Sequence, residues 1–200
     1  MKVDVRTPDG QDITWRHAAQ AVGSALRIVP TFVATRDDSD AGVRTSLTAS
    51  YLAGEGRYVT REVTHTALRD DVEVNYPTVA KLGTQAIVQA AAPRCIFVTL
   101  DREDDPLATW ISVDALTTAK GRILPPAVAA EVVKRGVSEA RLDAIELLYG
   151  TAALAGLPPA KLIQTELGIP HRTASAWIID ARAAGRLKGM NFHAGRPAGG

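Results

Sequence analysis

The sequence predicts an α+β fold. A mixed strand-and-helix domain is expected over residues 1–120, a connecting segment over 121–137, a three-helix domain over 138–189 and a flexible tail over 190–200. Three observations lead there. The first hundred residues hold short β-branched or alternating runs broken by Pro, Gly and Asp clusters, the pattern of strands and turns. From Ser138 onward the apolar period becomes helical, with Gly and Pro marking the ends. Charge divides the chain in a similar way. Six bases stand against two acids from Ala160 to Gly200, a local +4, so the rest of a chain of formal net charge +1 carries −3.

Composition sets the outer limits. Hydrophobic content of 46% and charged content of 22% are ordinary for a chain that buries a core. The single cysteine, Cys95, excludes an internal disulfide and suits a reducing compartment. Residues 1–10 carry charges where a signal peptide needs an apolar segment, and no apolar run approaches the ~20 residues of a membrane span. The expectation is a cytoplasmic protein with no membrane partner.

Taken in order, Lys2–Thr7 alternates as a strand, closed by the turn Pro8-Asp9-Gly10. Ile13–Leu26 places Trp15, Ala18, Ala19, Val22, Ala25 and Leu26 at helical spacing and is expected to be a helix despite Gly23. Ile28–Thr35 is β-branched, with Pro30 marking an edge or bulge. Val43–Tyr51 and Arg57–Thr66 form a hairpin through Gly54-Glu55-Gly56. Pro77–Ala92 reads as an amphipathic helix opened by proline, Arg94–Leu100 as a buried strand or helix, Asp101–Pro106 as an acidic loop, and Ala108–Val113 as a strand. Ala127–Arg135 is helical, followed by the strongest helix, Ser138–Ala155. Ser138 caps that helix, and Leu142, Ile145, Leu148 and Tyr149 form its stripe. No internal repeat is present.

The sharpest chemical signal is Pro159–Arg182. A helix over Ala160–Leu167 packs through Ile163 and Leu167. Gly168 supplies the left-handed turn at its end, Ile169 enters the core, and Pro170 opens the next helix, His171–Ala184. Ala174, Trp177, Ile178 and Ala181 fall on one face of that helix; Arg172, Ala176, Ile179 and Ala183 fall on the other. This is the helix-turn-helix geometry, whose second helix enters the DNA major groove and reads bases with its first residues. The expected base readers are His171, Arg172, Thr173, Ser175 and Ala176. Arg172 suits the paired acceptors of guanine and Ala176 a thymine methyl. Lys161, Arg182, Arg186 and Lys188 are the expected phosphate contacts.

Arg141–Lys188 resembles the helix-turn-helix modules of high-GC Gram-positive bacterial proteins, many of them on phages and integrated elements. The resemblance rests on the long leading helix, Leu167-Gly168-Ile169, Arg172-Thr173-Ala174-Ser175-x-Trp177-Ile178 and Ala181-Arg182-x-x-Gly185-x-Leu187. It implies double-stranded DNA binding and transcriptional or replication-related regulation. Two positions depart from the family pattern: Gln164, where alanine is preferred, and Ala176, where arginine is frequent. A homodimer is expected, because one such unit reads too few base pairs alone. In the tail, Gly195-Arg196-Pro197 resembles a minor-groove hook, beside the plainer reading as a disordered end.

Other chemistry finds little support. His17, His65, His171 and His193 are scattered, the Asp37–Asp40 and Asp101–Asp105 clusters lack calcium-loop spacing, and no phosphate loop, nucleophile elbow or zinc-protease motif occurs. Neither a cofactor, a metal nor an enzyme activity is expected. The alternative function is a scaffold whose C-terminal helices dock a protein partner.

Overall fold

The computed structural model describes residues 2–99, 109–136 and 138–192. Among them, eight strands run β1 Asp4–Arg6, β2 Gln20–Val22, β3 Leu26–Ile28, β4 Thr31–Asp38, β5 Val43–Leu52, β6 Arg57–Ala67, β7 Ile96–Thr99 and β8 Trp110–Ser112. The helices are α1 Tyr76–Val79, α2 Thr84–Cys95, α3 Val113–Leu116, α4 Pro126–Lys134, α5 Glu139–Ala155, α6 Pro159–Leu167 and α7 His171–Ala183. The strands form two antiparallel sheets, ordered β1-β4-β5-β6 and β2-β3-β7-β8. The fold is α+β. The acidic loop Asp101–Pro106 and the tail His193–Gly200 lie outside the described residues.

Pro30 stands where the chain leaves one sheet for the other, between β3 and β4. It has no N–H to give a ladder, but its carbonyl accepts from Tyr51 at 2.8 Å. The β5–β6 hairpin forms as its alternating Thr and Val pattern predicts, with a bulge opposite Thr48 and Ala49. Phe32 and Tyr58 meet edge to face at 4.9 Å beneath it, and the Tyr58 hydroxyl donates to the Val29 carbonyl at 2.8 Å. Helix α2 packs against both sheets through Ile87, Val88, Ala91 and Ala92. Its Cys95 is fully buried, and burial pushes the thiol far above its ordinary value, so it packs as a small apolar group.

Three expected elements are corrected. Residues 13–26 do not form a helix. Instead a single 3-10 turn, Trp15–His17, precedes the hairpin of β2 and β3. Helical spacing lost because backbone partners further along the chain outbid local ones. Gly23 turns with φ +70°, and its N–H donates to the Lys188 carbonyl at 2.7 Å. A Cβ there would overlap the Glu146 carboxylate, the Met190 methyl and the Arg186 carbonyl, so only glycine fits. Residues 77–92 hold two helices rather than one, since α1 ends at Val79 and α2 begins after Gly83. Of residues 94–100, Arg94 and Cys95 close α2 and the strand begins at Ile96.

Helix α5 is the axis of the structure. From Ala144 to Ala155 every residue but Leu147 is buried, so the helix is enclosed on nearly all sides. One apolar core runs from Phe32 and Ile87 through Leu148 and Leu154 to Ile163 and Leu187. Ile123, Leu124, Ala129 and Val132, from the connecting segment, are buried in it too.

Two buried carboxylates join the last three helices to the rest. Glu146 on α5, 1% exposed, accepts from the N–H of Ser24, the N–H of Ala25 at 2.8 Å and the Ser24 hydroxyl at 2.6 Å. Glu166 on α6, 3% exposed, accepts from the N–H groups of Ile123 and Leu124, each at 3.1 Å. Removing one partner from a buried, charge-assisted set leaves the others unsatisfied. Glu146→Ala is therefore expected to cost about 3–5 kcal/mol, measured by denaturant unfolding. A loss under about 1 kcal/mol, the scale of an exposed ion pair, would contradict this role.

Candidate nucleic-acid interface

Helices α5, α6 and α7 follow one another with short turns between. Ser138 caps α5, its hydroxyl accepting from the Arg141 N–H. Pro159 starts α6, whose buried side is Pro159, Ile163, Glu166 and Leu167. The chain turns at Gly168 with φ +64°, and the Gly168 N–H donates to the Gln164 carbonyl at 2.9 Å. Ile169 is buried and Pro170 precedes α7. Ala174 and Ala181, both fully buried, let α7 approach the other two helices closely, while Trp177 and Ile178 are half-buried against the same core.

Each expected site residue has a definite setting. His171, Arg172 and Ala176 are exposed at the start of α7, with Thr173 and Ser175 half-buried beside them. Lys161 and Lys188 are exposed. Arg182 is exposed but stacked over the Tyr149 ring at 5.6 Å, and it donates to the Tyr149 hydroxyl at 2.8 Å. Arg186 differs from all of these. It is 21% exposed and holds Glu139, Asp143 at 3.0 Å and Glu146 at 3.4 Å, while also donating to the Ser24 hydroxyl at 2.9 Å.

Burial works against the Arg186 charge, but Asp143, Glu146 and Glu139 outweigh it and hold the guanidinium above its ordinary value. Burial also lifts the Asp143 carboxyl, partly offset by Arg186. A guanidinium committed to three carboxylates is a fastener within the fold, and we assign it no phosphate.

Helices α6 and α7 share a further feature. The residues at their N-caps, Pro158 and Pro170, offer no side-chain acceptor to the first turn. Those amide N–H groups, with the positive end of each helix dipole, form a setting that suits an anion.

Sequence reasoning missed Arg141. It is 5% exposed, lies over the Trp177 ring at 4.7 Å and pairs with Asp180 at 3.1 Å. The signal was there: Arg141, Ile145, Leu148 and Ala152 share one helical face, so a cation sits in line with the buried stripe. Leu142, expected on that stripe, is only half-buried. Among the described residues no group of three or more His, Cys, Asp or Glu converges as metal ligands do, and no helix is long and apolar enough to cross a membrane.

Compared with known proteins, the chain matches no family model, no curated protein and no solved structure. The setting of the turn before α7 can be tested directly. A Cβ at Gly168 would meet nothing within 4 Å, so Gly168→Ala tests backbone conformation alone. It is expected to cost about 1–2 kcal/mol, read as a lowered unfolding midpoint with unchanged helical circular dichroism. An unchanged midpoint would contradict the left-handed turn.

Proposed function

We propose that this protein binds double-stranded DNA as a sequence-specific regulator: α7 is the reading element and a homodimer the working unit. The observation that carries the reading is the two-sided character of α7. Its Ala174 and Ala181 side is sealed into the core, while His171, Arg172 and Ala176 stand free at the end that follows a sharp turn. In the helix-turn-helix arrangement those first residues meet base edges. Arg172 is the guanine reader, with Thr173 and Ser175 beside it as hydroxyl donors and Ala176 as an apolar contact.

The uncapped first turns of α6 and α7 and the exposed Lys161 and Lys188 supply phosphate contacts, with Arg182 as a preset cation on Tyr149. Transcription is the process we favour, in a bacterial setting that includes mobile elements.

One observation favours the second reading, a docking site for a protein. Ile179 lies on the outer side of α7 and is 68% exposed, an apolar contact that phosphate and base edges do not require.

Affinity measurements on a preferred duplex separate the two. Arg172→Ala is expected to weaken that site by about 1–3 kcal/mol and to relax one base position. Lys188→Ala should weaken all sequences alike and reduce the salt slope by about 0.9. Binding that is indifferent to both substitutions, with a protein co-purifying through Ile179, would replace the DNA reading with the docking one.

A further inference from the structure

Between α3 and α4 the chain makes a tight turn, Thr118–Arg122. The Thr118 N–H donates to the Arg122 carbonyl and the Gly121 N–H to the Thr118 carbonyl, both at 2.8 Å. The Arg122 N–H donates to the Thr118 hydroxyl at 3.2 Å. At the tip Ala119, Lys120 and Gly121 are exposed, and a Cβ on Gly121 would meet nothing within 4 Å. The turn is closed by its own bonds, and its tip offers a cation to solvent.

Its place in the fold is set by α6. The buried Glu166 carboxylate takes the N–H groups of Ile123 and Leu124, and the Arg122 guanidinium donates to the Glu166 carbonyl. Glu166 lies in the last turn of α6, where carbonyls point off the helix end without an intrahelical partner. Arg122 therefore sits at the C-terminal end of α6, where a cation also meets the negative end of the helix dipole. The chain leaves α6 from that same end, through Gly168 into His171 at the start of α7. The Thr118–Arg122 turn and the first turn of α7 are thus both tied to one end of α6.

The two cations of the turn have different uses. Arg122 is committed to Glu166, while Lys120 makes no ion pair among the described residues. Lys120 also lies outside the basic stretch of residues 160–200, so charge along the chain does not single it out.

We propose that the Thr118–Arg122 turn is a second DNA-contacting element, which sets Lys120 against the duplex backbone beside the groove that α7 enters. A phosphate is the fitting ligand, because an ammonium on a flexible stem meets a point charge and lacks the fork that reads base edges. The inference rests on the DNA reading of α7. It adds that Glu166 fixes two DNA-facing pieces to each other, the turn through Ile123 and Leu124, and α7 through the end of α6.

The test uses the full chain and a duplex of mixed sequence, since phosphate contacts are indifferent to sequence. Lys120→Ala is expected to weaken binding about 3- to 5-fold and to reduce the salt slope by about 0.9, with the unfolding midpoint unchanged. A second readout locates the contact. Cys95, the single cysteine, is fully buried, so Lys120→Cys adds a thiol that alone can be labelled. Carrying an iron chelate that releases hydroxyl radicals, it should cut the duplex at saturating protein. The same label at Thr66→Cys, on the exposed end of β6, should not. Unchanged affinity and slope in Lys120→Ala, or cutting from position 120 no stronger than from position 66, overturns the role of the turn and leaves the reading of α7 standing. A wild-type chain that binds no duplex overturns both.

Discussion

The structure depends on one buried carboxylate. Glu146 sits in the most enclosed helix of the chain and receives the turn between β2 and β3, with Arg186 closing the arrangement from the far side of α7. A carboxylate removed from water is costly unless its oxygens are satisfied, and here two backbone N–H groups, a hydroxyl and a guanidinium satisfy them. The consequence reaches well beyond the pair. The hairpin of β2 and β3 exists in this form because its turn has a distant partner. The segment after α7 is held by the Gly23 N–H on Lys188 and by the fully buried Met190. Glu166 repeats the device on α6, where it fastens the connecting segment at Ile123 and Leu124. The last three helices are thus built into the common core and fastened to it at two polar points.

That arrangement also explains what the sequence could reveal and what it could not. The β5–β6 hairpin, α4, α5, α6 and α7 were legible because their signals are local: alternation, proline starts, a serine cap and Gly168. Residues 13–26 were misread because the decisive bonds join positions more than a hundred residues apart, and no window of sequence contains both partners. The exposure of His171, Arg172 and Ala176 followed from helical periodicity alone. Arg186 did not, since an arginine on a basic stretch looks the same whether it faces phosphate or Glu139, Asp143 and Glu146. Arg141 was within reach, as a cation aligned with a buried stripe, but its stacking on Trp177 depends on how α7 crosses α5.

Charge on the C-terminal helices therefore has two separate uses. Arg186, Arg141 and Arg122 are turned toward carboxylates of the same chain and hold helices in place. Arg172, Lys161 and Lys188 remain on the surface, where a polyanion would meet them. The formal +4 of this region overstates the charge offered outward, and the distribution matters more than the sum. On the proposed function, rigidity is the link between the two sets: a reading helix is useful only if its first turn is held at a fixed angle, and the inward arginines provide that hold.

Selection from a pool of random duplexes with the purified chain tests the central claim most directly. The account predicts enrichment of a defined motif, with its strongest positions spaced for the first turn of α7 in one major groove. Recovered sequences as random as the starting pool, at a salt concentration where exposed lysines still retain DNA, would contradict it.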